Sequence, residues 1–438
     1  MKNKKRIGLG LSGGGYRATA YHIGTLKKLN ELGILENIDV ISCISGGSIL
    51  GAFYGLNKDN FEVFEEKAKL AVKKNVVGAV ITSKWFYLAL LTIILTSYIT
   101  LKLHVFFFIL WLILLLFIQF KLFPISKLII KAYDKYFYNQ YTLNKLPKKP
   151  IIAINTTNIE SGRLFTFSRN KMSDSFYEYP ADKSQPIKFK SEIFPISHAV
   201  MASTCVPFAF SPIKIQERYF EKESDYLKVH PLLIDGGIYD NQGIHKLQQK
   251  GSSYECDFII ISDAGASQLS SKNIRNQFIL LSKTVDLLMN RIKNIQMSNG
   301  IFNNQDKEKN IVYQSLKWKV ENCIDNFYDN LIKGKINSST WEFHTITEKD
   351  IQKKDKNTIV SKLEKSIGYQ QILFQSPSEN EYKIATSVST NLWSLKDKQI
   401  NALIKCSSAI TEIQIKLYFP QIINKKKWLK TPALEHIN

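Results

Sequence analysis

The stretch at residues 7–29, IGLGLSGGGYRATAYHIGTLKKL, decides the fold class. Residues 6–11 predict a short buried strand, and residues 16–32 predict a helix with an apolar stripe that ends at Gly33. Residues 38–42 predict a second strand, which a Gly/Ser turn and another short helix follow. A strand, a glycine loop, a helix and a strand in this order predict an α/β fold with a parallel sheet.

The glycine spacing also fits a dinucleotide-binding loop, because Gly8, Gly10 and Gly13 form a G-x-G-x-x-G pattern. That function needs an acidic residue at the end of the second strand to bind the ribose hydroxyls. Here the strand ends in Ser-Cys-Ile-Ser at residues 42–45, and Asp39 lies at its opposite end. The sequence therefore predicts no nicotinamide or flavin cofactor.

Composition and charge limit the class of protein. The chain has 438 residues, of which 45% are apolar, and this is enough for a large folded core. Its formal net charge of +21 favours an anionic partner, either a nucleic acid or an anionic membrane surface, although a lysine-rich composition alone gives the same excess. No nucleic-acid recognition motif occurs, so no nucleic acid is expected as a partner.

Cysteine usage and the N-terminus give two further expectations. The five cysteines are scattered, without a CxxC pair or a histidine at ligand spacing, so neither a disulfide framework nor a metal site is expected. The basic N-terminus leads directly into the glycine loop without the apolar run of a signal peptide. The catalytic part is therefore expected in the cytoplasm.

Residues 85–123 differ abruptly from the rest of the chain. They contain two apolar runs of 17 and 18 residues, separated by Lys102. As helices these runs span roughly 25–27 Å each, close to the thickness of a bilayer core. The alternative is a pair of buried core helices, but residues 105–118 are entirely apolar or aromatic, without the polar stripe of a soluble helix. The runs therefore predict a membrane hairpin, either spanning or re-entrant.

Lysines on both sides of the hairpin predict its orientation. They lie before and after it in larger number than at its tip, and cytoplasmic loops carry such an excess. Both open ends of the hairpin are therefore expected on the cytoplasmic side of the membrane. The flanking lysines are Lys73, Lys74, Lys84, Lys121, Lys127, Lys131 and Lys135.

Four further strands are predicted after the hairpin. Residues 150–155 form one strand, and residues 164–168 form its partner. Residues 232–235 and 257–263 are apolar and end in acids, as buried parallel strands do.

A single domain is expected to extend over residues 1–438, interrupted by the hairpin at 85–123. Residues 273–297 predict a long amphipathic helix within it. Residues 300–380 are rich in lysine and asparagine and only weakly patterned, and we interpret them as an insertion.

The second strand leads to a candidate nucleophile. Ser45 is preceded at two residues' distance by Cys43 and followed by Gly46 and Gly47. A sharp turn from strand to helix that projects a serine hydroxyl needs small residues at these positions, since larger ones collide across the turn. An ordinary Gly/Ser loop that caps a helix has the same composition, so the pattern alone leaves both interpretations open.

A nucleophile also needs donors for an oxyanion, and the glycine loop supplies candidates. Gly13, Gly14 and Gly15 can direct bare backbone N–H groups to one point at the N-terminus of a helix, where the helix dipole favours negative charge. Arg17, in the first turn of that helix, adds a fixed positive charge or a ligand for a lipid phosphate. The glycine loop is therefore predicted to bind a transient oxyanion.

The candidate base is Asp235, at the end of an apolar strand. Gly236 and Gly237 follow it, so the backbone can turn sharply around the carboxylate. The order Ser45, Asp235, His245 also fits a catalytic triad, but only ten residues separate the last two. We therefore favour Asp235 as the base itself.

With these three segments the chain resembles the patatin-like phospholipases, serine lipid acyl hydrolases with a Ser–Asp dyad. The matching segments are residues 10–17, 45–47 and 235–237, and weaker matches occur at 152–162, 199–210 and 391–404. The resemblance implies a three-layer α/β/α sandwich with a mostly parallel central sheet, and no metal or organic cofactor. Cys43 is a departure, because the family usually has glycine there, and the hydrophobic hairpin is not a general feature of the family.

The expected function is that of a membrane-anchored lipid acyl hydrolase that faces the cytoplasm and acts on membrane phospholipids. Ser45 is expected to attack the ester, Asp235 to accept its proton, and Gly13, Gly14 and Gly15 to bind the oxyanion. Two alternatives remain. One is acyl transfer to an acceptor other than water, and the other is a catalytically dead protein that binds membranes.

Overall fold

A mixed β-sheet forms the centre of the fold. The structure is a computed structural model, and it describes residues 5–181, 185–207, 209–265, 274–298 and 310–423. Within these ranges nine strands form one sheet. They are β1 (Ile7–Leu11), β2 (Val40–Ile44), β3 (Ile151–Asn158), β4 (Arg163–Ser168), β5 (Lys171–Ser173), β6 (Ile213–Lys214), β7 (Leu232–Ile234), β8 (Phe258–Asp263) and β9 (Asn310–Ser315).

The middle of the sheet is parallel and one side of it is antiparallel. The strand order is β5-β4-β3-β2-β1-β8-β9, and the five strands from β3 to β9 in this order are parallel. β4 and β5 are antiparallel, and β7 pairs antiparallel with β3 and β6. The prediction of a parallel strand at 232–235 is therefore wrong. β7 is only three residues long and pairs with the end of β3, next to the turn between β3 and β4. β8, predicted at 257–263, is parallel as predicted.

Nineteen α-helices lie within the described residues. They are α1 (Gly15–Glu31), α2 (Gly46–Asn57), α3 (Phe61–Val72), α4 (Val76–Ile81), α5 (Lys84–Leu103), α6 (Val105–Leu122), α7 (Ile125–Tyr133), α8 (Ser175–Glu178), α9 (Ile196–Ser203), α10 (Glu223–Tyr226), α11 (Ile244–Gln248), α12 (Gln277–Met297), α13 (Cys323–Ile332), α14 (Ser338–Phe343), α15 (Glu348–Lys353), α16 (Lys356–Ile367), α17 (Tyr369–Gln375), α18 (Glu379–Ser387) and α19 (Asp397–Tyr418).

Helices pack on both faces of the sheet. Alternate residues of a strand point to opposite faces, so an apolar strand contributes side chains to a core on each side. Leu9 and Ile41 belong to the large cluster with α1, α2 and α19. Val40 and Ile259 belong to a smaller cluster on the other face, where α11 contributes Leu247. This arrangement confirms the predicted α/β fold with a mostly parallel sheet between helices.

The predicted hairpin consists of the helices α5 and α6. At 1.5 Å per residue they are about 30 and 27 Å long. Only Ala89 of α5 and no residue of α6 is buried. They are therefore not core helices of this chain. By length and composition both are able to cross a membrane.

The ends of the hairpin lie close together and its helices contact each other. The rings of Phe86 and Phe123 contact each other in a tilted arrangement with centroids 5.8 Å apart, and the indole of Trp111 donates a hydrogen bond of 3.0 Å to the Ser97 hydroxyl. The hairpin thus leaves and re-enters the fold at nearly one point.

The region at 300–380 is more ordered than its sequence indicates. Residues 300–309 lie outside the described residues, but strand β9 and the helices α13–α17 follow. β9 forms the edge of the sheet beside β8. Helices α13, α16 and α17 bury a cluster of their own against α19. The division of the chain into one domain and an insertion stays a prediction.

Candidate active site

Ser45 lies in a strained turn between β2 and α2. Its backbone has φ 48° and ψ −116°, a conformation that residues other than glycine rarely adopt. The Ser45 N–H donates a hydrogen bond of 2.9 Å to the Ser203 hydroxyl, which itself donates to the carbonyl oxygen of Asn155 at 2.6 Å. The surrounding structure thus holds the Ser45 backbone in this conformation at the C-terminal end of the parallel strands.

The glycines after Ser45 allow the backbone to pass at close range. A Cβ atom on Gly46 would lie 2.2 Å from the carbonyl oxygen of Gly15, and one on Gly47 would lie 2.3 Å from that of Leu11. Both distances exclude any side chain. The sharp strand-to-helix turn predicted from the sequence is therefore present, and an ordinary capping loop does not describe it.

Cys43 fits into this turn because a glycine lies opposite. Its thiol is fully buried, and burial raises the pKa of the thiol. A Cβ atom on Gly51 of α2 would lie 2.2 Å from the Cys43 sulfur. The helix thus leaves room for the one side chain that departs from the family pattern.

Asp235 follows β7 and its carboxylate is buried. One oxygen, Oδ1, accepts a hydrogen bond of 2.7 Å from the Gly237 N–H. The other, Oδ2, has no hydrogen-bond partner of normal geometry within the described residues. Burial raises the pKa of Asp235 to about 6, while interactions with Gly237 and with the Ser45 hydroxyl lower it in part. The Ser45 hydroxyl is thus near the carboxylate without a well-aligned hydrogen bond, as is common in substrate-free sites.

Backbone contacts fix the loop around Asp235. The Asp235 N–H donates to the Cys205 carbonyl at 2.9 Å. A Cβ atom on Gly236 would lie 2.4 Å from the carbonyl oxygen of Asn155. A glycine is therefore required directly after the acid.

The glycine loop at the start of α1 lies against Ser45, since a Cβ atom placed on Gly13 would lie 3.2 Å from the Cβ atom of Ser45. Gly13 donates its N–H to the Asn241 carbonyl at 3.0 Å. Gly14 and Gly15 have φ values of 143° and 56°, and in the described part of the chain neither N–H has a hydrogen-bond partner. Two of the three predicted donors are thus unoccupied, whereas the Gly13 N–H is already bonded.

Arg17 is buried beside this loop and is anchored at both ends of its guanidinium. Nε donates to the Ala264 carbonyl at 2.9 Å and Nη1 to the Val388 carbonyl at 3.1 Å. Burial lowers the pKa of Arg17, and the nearby Asp263 carboxylate partly offsets this effect. Arg17 therefore links the loop after β8 to the segment before α19 and adds a positive charge to the site.

Ser45 and Asp235 open into one cavity of about 550 Å³. Helix α12 forms one wall and the loop at Val206 another. Lysine and aspartate side chains also line the cavity, and Lys293 pairs there with the buried Asp263. The cavity thus contains charged groups in addition to Ser45 and Asp235, and its volume is in the range of small-molecule binding sites.

No histidine lines this cavity in the described part of the chain. The N–H of His245 donates to Asp240 Oδ2 at 2.8 Å, and its ring contacts Tyr239 edge to face. Buried His22 contacts the Ser12 carbonyl and the Ser262 hydroxyl. His245 therefore does not line the cavity that contains Ser45 and Asp235.

Several residues that shape the site were not predicted as site residues. Asn241 lies between the glycine loop and the Asp235 loop, since its Oδ1 would contact a Cβ atom on either Gly13 or Gly237. Ser203 supports Ser45 from α9. Asn241 lies only six residues after Asp235, and Ser203 lies within the weaker family match at 199–210, so their proximity to these segments was the available signal. Within the described residues no group of three or more histidine, cysteine or acidic side chains is suited to a metal ion.

Comparison with known proteins assigns the family. The family model described as patatin-like phospholipase matches residues 9–247, more than half of the chain. The chain belongs to the patatin-like phospholipase family. The matched range contains all three segments on which the resemblance rests, and the hairpin lies inside it.

Individual relatives of this patatin-like chain are distant. The protein "Putative meiotic phospholipase SPO1" of Saccharomyces cerevisiae is 38% identical over 63 residues, which are 14% of this chain and 10% of the yeast protein. Human GIVD cytosolic phospholipase A2 has a TM-score of 0.49 at 12% identity, over 95% of this chain and 62% of the human one. VipD from Legionella pneumophila has a TM-score of 0.31 at 11% identity, over 99% and 93% of the two chains.

Proposed function

We propose that this protein is a lipid acyl hydrolase that cleaves fatty acyl esters of membrane phospholipids with Ser45 and Asp235. One observation carries the proposal: a serine in a strained turn and a buried carboxylate with an unpartnered oxygen lie in one cavity. Membership of the patatin-like family supports the class of substrate. Activity and mechanism are inferred for this chain from these residues.

In the first half of the reaction the Ser45 hydroxyl oxygen attacks the ester carbonyl carbon. Asp235 Oδ2 accepts the hydroxyl proton, and its raised pKa, about 6, matches a base that works near neutral pH. The bond to the alcohol oxygen then breaks, and the proton moves from Asp235 to the leaving lysophospholipid. An acyl group remains on Ser45.

In the second half Asp235 accepts a proton from water, and the resulting hydroxide attacks the acyl carbonyl. The bond to Ser45 Oγ breaks, Ser45 recovers the proton, and the fatty acid leaves. In both halves the oxyanion is stabilised by the N–H groups of Gly14 and Gly15 at the N-terminus of α1. The fixed charge of Arg17 stabilises negative charge in the same region.

The position of the hairpin supports action at a membrane. Helix α7 follows the hairpin directly, and the Ser126 hydroxyl donates a hydrogen bond of 2.7 Å to the Ser211 carbonyl. Ser211 belongs to the loop whose residue Val206 lines the cavity and is exposed. An inserted hairpin therefore keeps the cavity close to lipid, with the catalytic part on the cytoplasmic side, and the positive net charge favours anionic lipid surfaces.

The mechanism is tested by labelling with a fluorophosphonate, which reacts only with an activated serine. The intact protein is expected to gain one adduct and Ser45→Ala none. Ser389 is another serine that lines the cavity, and Ser389→Ala should gain one adduct as the wild type does. Absence of an adduct on the wild type would favour the dead membrane-binding protein.

The reaction is tested with phospholipid vesicles and mass spectrometry of the products. Equal amounts of fatty acid and lysophospholipid are expected with the wild type and neither with Ser45→Ala. Lysophospholipid without free fatty acid, together with a newly acylated lipid, would instead identify an acyltransferase.

The hairpin is tested by deletion of residues 83–121 and closure with a short flexible linker, which the adjacent ends allow. The shortened protein is expected to be more soluble and to hydrolyse a small soluble ester at the wild-type rate, because Ser45 and Asp235 lie outside the deletion. On vesicles it should lose most activity. Extraction of the intact protein by carbonate without detergent would contradict membrane insertion.

A further inference from the structure

Helix α12 presents polar residues to the active-site cavity. It has 21 residues and is about 31 Å long, and none of its side chains that the structure describes is buried. The residues that line the cavity are mainly polar or charged: Ser282, Lys283, Val285, Asp286, Met289, Asn290 and Lys293. The inward face is therefore the polar face of this helix.

The opposite face of α12 is aliphatic and exposed. Five large residues on it are between 43% and 55% exposed: Leu280, Leu281, Leu287, Leu288 and Ile295. At 100° per residue they lie within an arc of about 120° on the side away from the cavity. A surface helix of a soluble protein has the reverse arrangement, with its apolar stripe toward the core. The apolar face of α12 therefore needs a partner outside this chain.

The outward face of α12 fits an anionic surface through one basic residue. At 100° per residue Arg291 lies within the apolar arc, whereas Lys283, Lys293 and the single acid, Asp286, line the cavity. Its apolar arc covers one face only, whereas the hairpin helix α6 is apolar on all sides over most of its length. A basic helix with one apolar face is typical of segments that lie in the plane of a membrane interface rather than cross it.

Helix α12 borders the same cavity as the loop that is bonded to the base of the hairpin. Residues of α12 form one wall of the cavity, and Val206, in the loop bonded to the base of the hairpin, belongs to another. Both elements therefore border the same opening. A bilayer that receives the hairpin is thus near the outward face of α12.

We propose that the outward face of α12 lies on an anionic phospholipid bilayer as a second membrane contact beside the hairpin. Its leucines enter the acyl boundary, and Arg291 on the same face contacts the head groups. The substrate then enters the cavity between α12 and the loop at Val206. This inference rests on the membrane location in the proposed function, but it requires no catalytic step.

Contact with lipid is tested by labelling the intact protein with an environment-sensitive fluorophore on Leu288→Cys. The five native cysteines are all buried, so the introduced thiol is the accessible one. Phe374→Cys is the matched control, because Phe374 is also an exposed apolar residue and its helix α17 borders the groove near the C-terminal end of α1, away from the glycine loop. Both proteins are placed in vesicles of phosphatidylcholine and phosphatidylserine that contain spin-labelled lipid.

The label at position 288 is expected to shift to shorter wavelength and to be quenched by the spin-labelled lipid, whereas the label at 374 does neither. An unshifted and unquenched label at 288 would overturn the proposal. A shifted label that spin-labelled lipid does not quench would also overturn it, and would identify a protein partner or a second copy on this face.

A second measurement separates this proposal from the proposed catalytic function. Leu281→Asp combined with Leu288→Asp is expected to reduce hydrolysis of anionic vesicles about tenfold or more, since two leucines lose their lipid contacts. Hydrolysis of a soluble ester should not change, and Phe374→Asp should affect neither rate. Wild-type vesicle activity in the double variant would overturn the proposal. If the wild type hydrolyses nothing, the proposed function fails, while the fluorescence result still decides the membrane contact.

Discussion

Replacing Asp235 by asparagine is expected to inactivate the enzyme and to stabilise its fold at the same time. The carboxylate is buried and its Oδ2 has no well-formed hydrogen bond, so the charged form is unfavourable in the native state. Asparagine has nearly the same shape, and its amide oxygen can still accept the hydrogen bond from Gly237. The variant therefore removes a buried charge without leaving a cavity.

The size of the effect follows from the raised pKa of Asp235. The pKa is about 6 in the folded protein and 3.8 in the unfolded chain. The folded state therefore binds the proton more tightly, and its stability falls as the pH rises through about 6. At 1.36 kcal/mol per pKa unit the full cost is about 3 kcal/mol above pH 7, and it is below 1 kcal/mol near pH 4. Asp235→Asn escapes this cost.

Thermal unfolding of both proteins in the same detergent, from pH 4 to pH 8, measures the difference. The melting temperature of Asp235→Asn is expected to exceed that of the wild type by several degrees at pH 8 and hardly at all at pH 4. Activity against a soluble ester should fall about 10²–10⁴-fold. In the wild type kcat/KM should increase as the pH rises through about 6, because the base must be deprotonated.

Asp263 provides a control of opposite sign. Burial raises the pKa of its carboxyl group, but the ion pair with Lys293 and its hydrogen bonds outweigh this and leave the pKa below the ordinary value. Asp263→Asn should therefore destabilise the protein at neutral pH. If Asp235→Asn were less stable than the wild type at pH 8, or retained near-normal turnover, the assignment of a buried catalytic base would be refuted.

Three further predictions concern single residues of the site. Ser45→Ala should abolish ester hydrolysis, and adding Asp235→Asn should reduce the remaining rate no further, because nucleophile and base act as one unit; rates of the single and double variants measure this. His245→Ala should leave kcat/KM nearly unchanged, and a loss equal to that of Ser45→Ala with an intact fold would favour a triad. Gly51→Ala should destabilise the fold by about 1–3 kcal/mol, because its methyl group meets the Cys43 sulfur. Adding Cys43→Ala to this variant should relieve most of the loss, and denaturation of the wild type, the two single variants and the double variant measures this.

The features predictable from the sequence are those with a local physical signature. The turn at Ser45 is marked by its small neighbours, the hairpin by its hydropathy, and β1, β2 and β8 by short apolar runs before polar loops. The orientation of β7 had no such signature, because three apolar residues before an acid fit a strand of either direction.

Features that depend on distant parts of the chain could not be predicted. Residues 310–315 form an edge strand only because β8 lies beside them. The N–H of Gly13 is equivalent in sequence to those of Gly14 and Gly15, but Asn241, more than 200 residues later, accepts its hydrogen bond. Periodicity predicted a helix at 273–297, and the helix is found at 277–297, yet periodicity does not show which face meets the protein.

The proposed dyad lies on two loops that meet at Asn155, at the C-terminal part of β3. The Asn155 carbonyl accepts a hydrogen bond from Ser203, which in turn accepts one from the Ser45 N–H. The same carbonyl packs against Gly236, directly after Asp235, so closely that no side chain fits between them. One backbone oxygen therefore sets the position of both the nucleophile and the base. The inserted helices lie in the connection between α2 and β3. The contacts of the Asn155 carbonyl nevertheless fix the separation of Ser45 and Asp235, because Asn155 lies on β3, after the insertion.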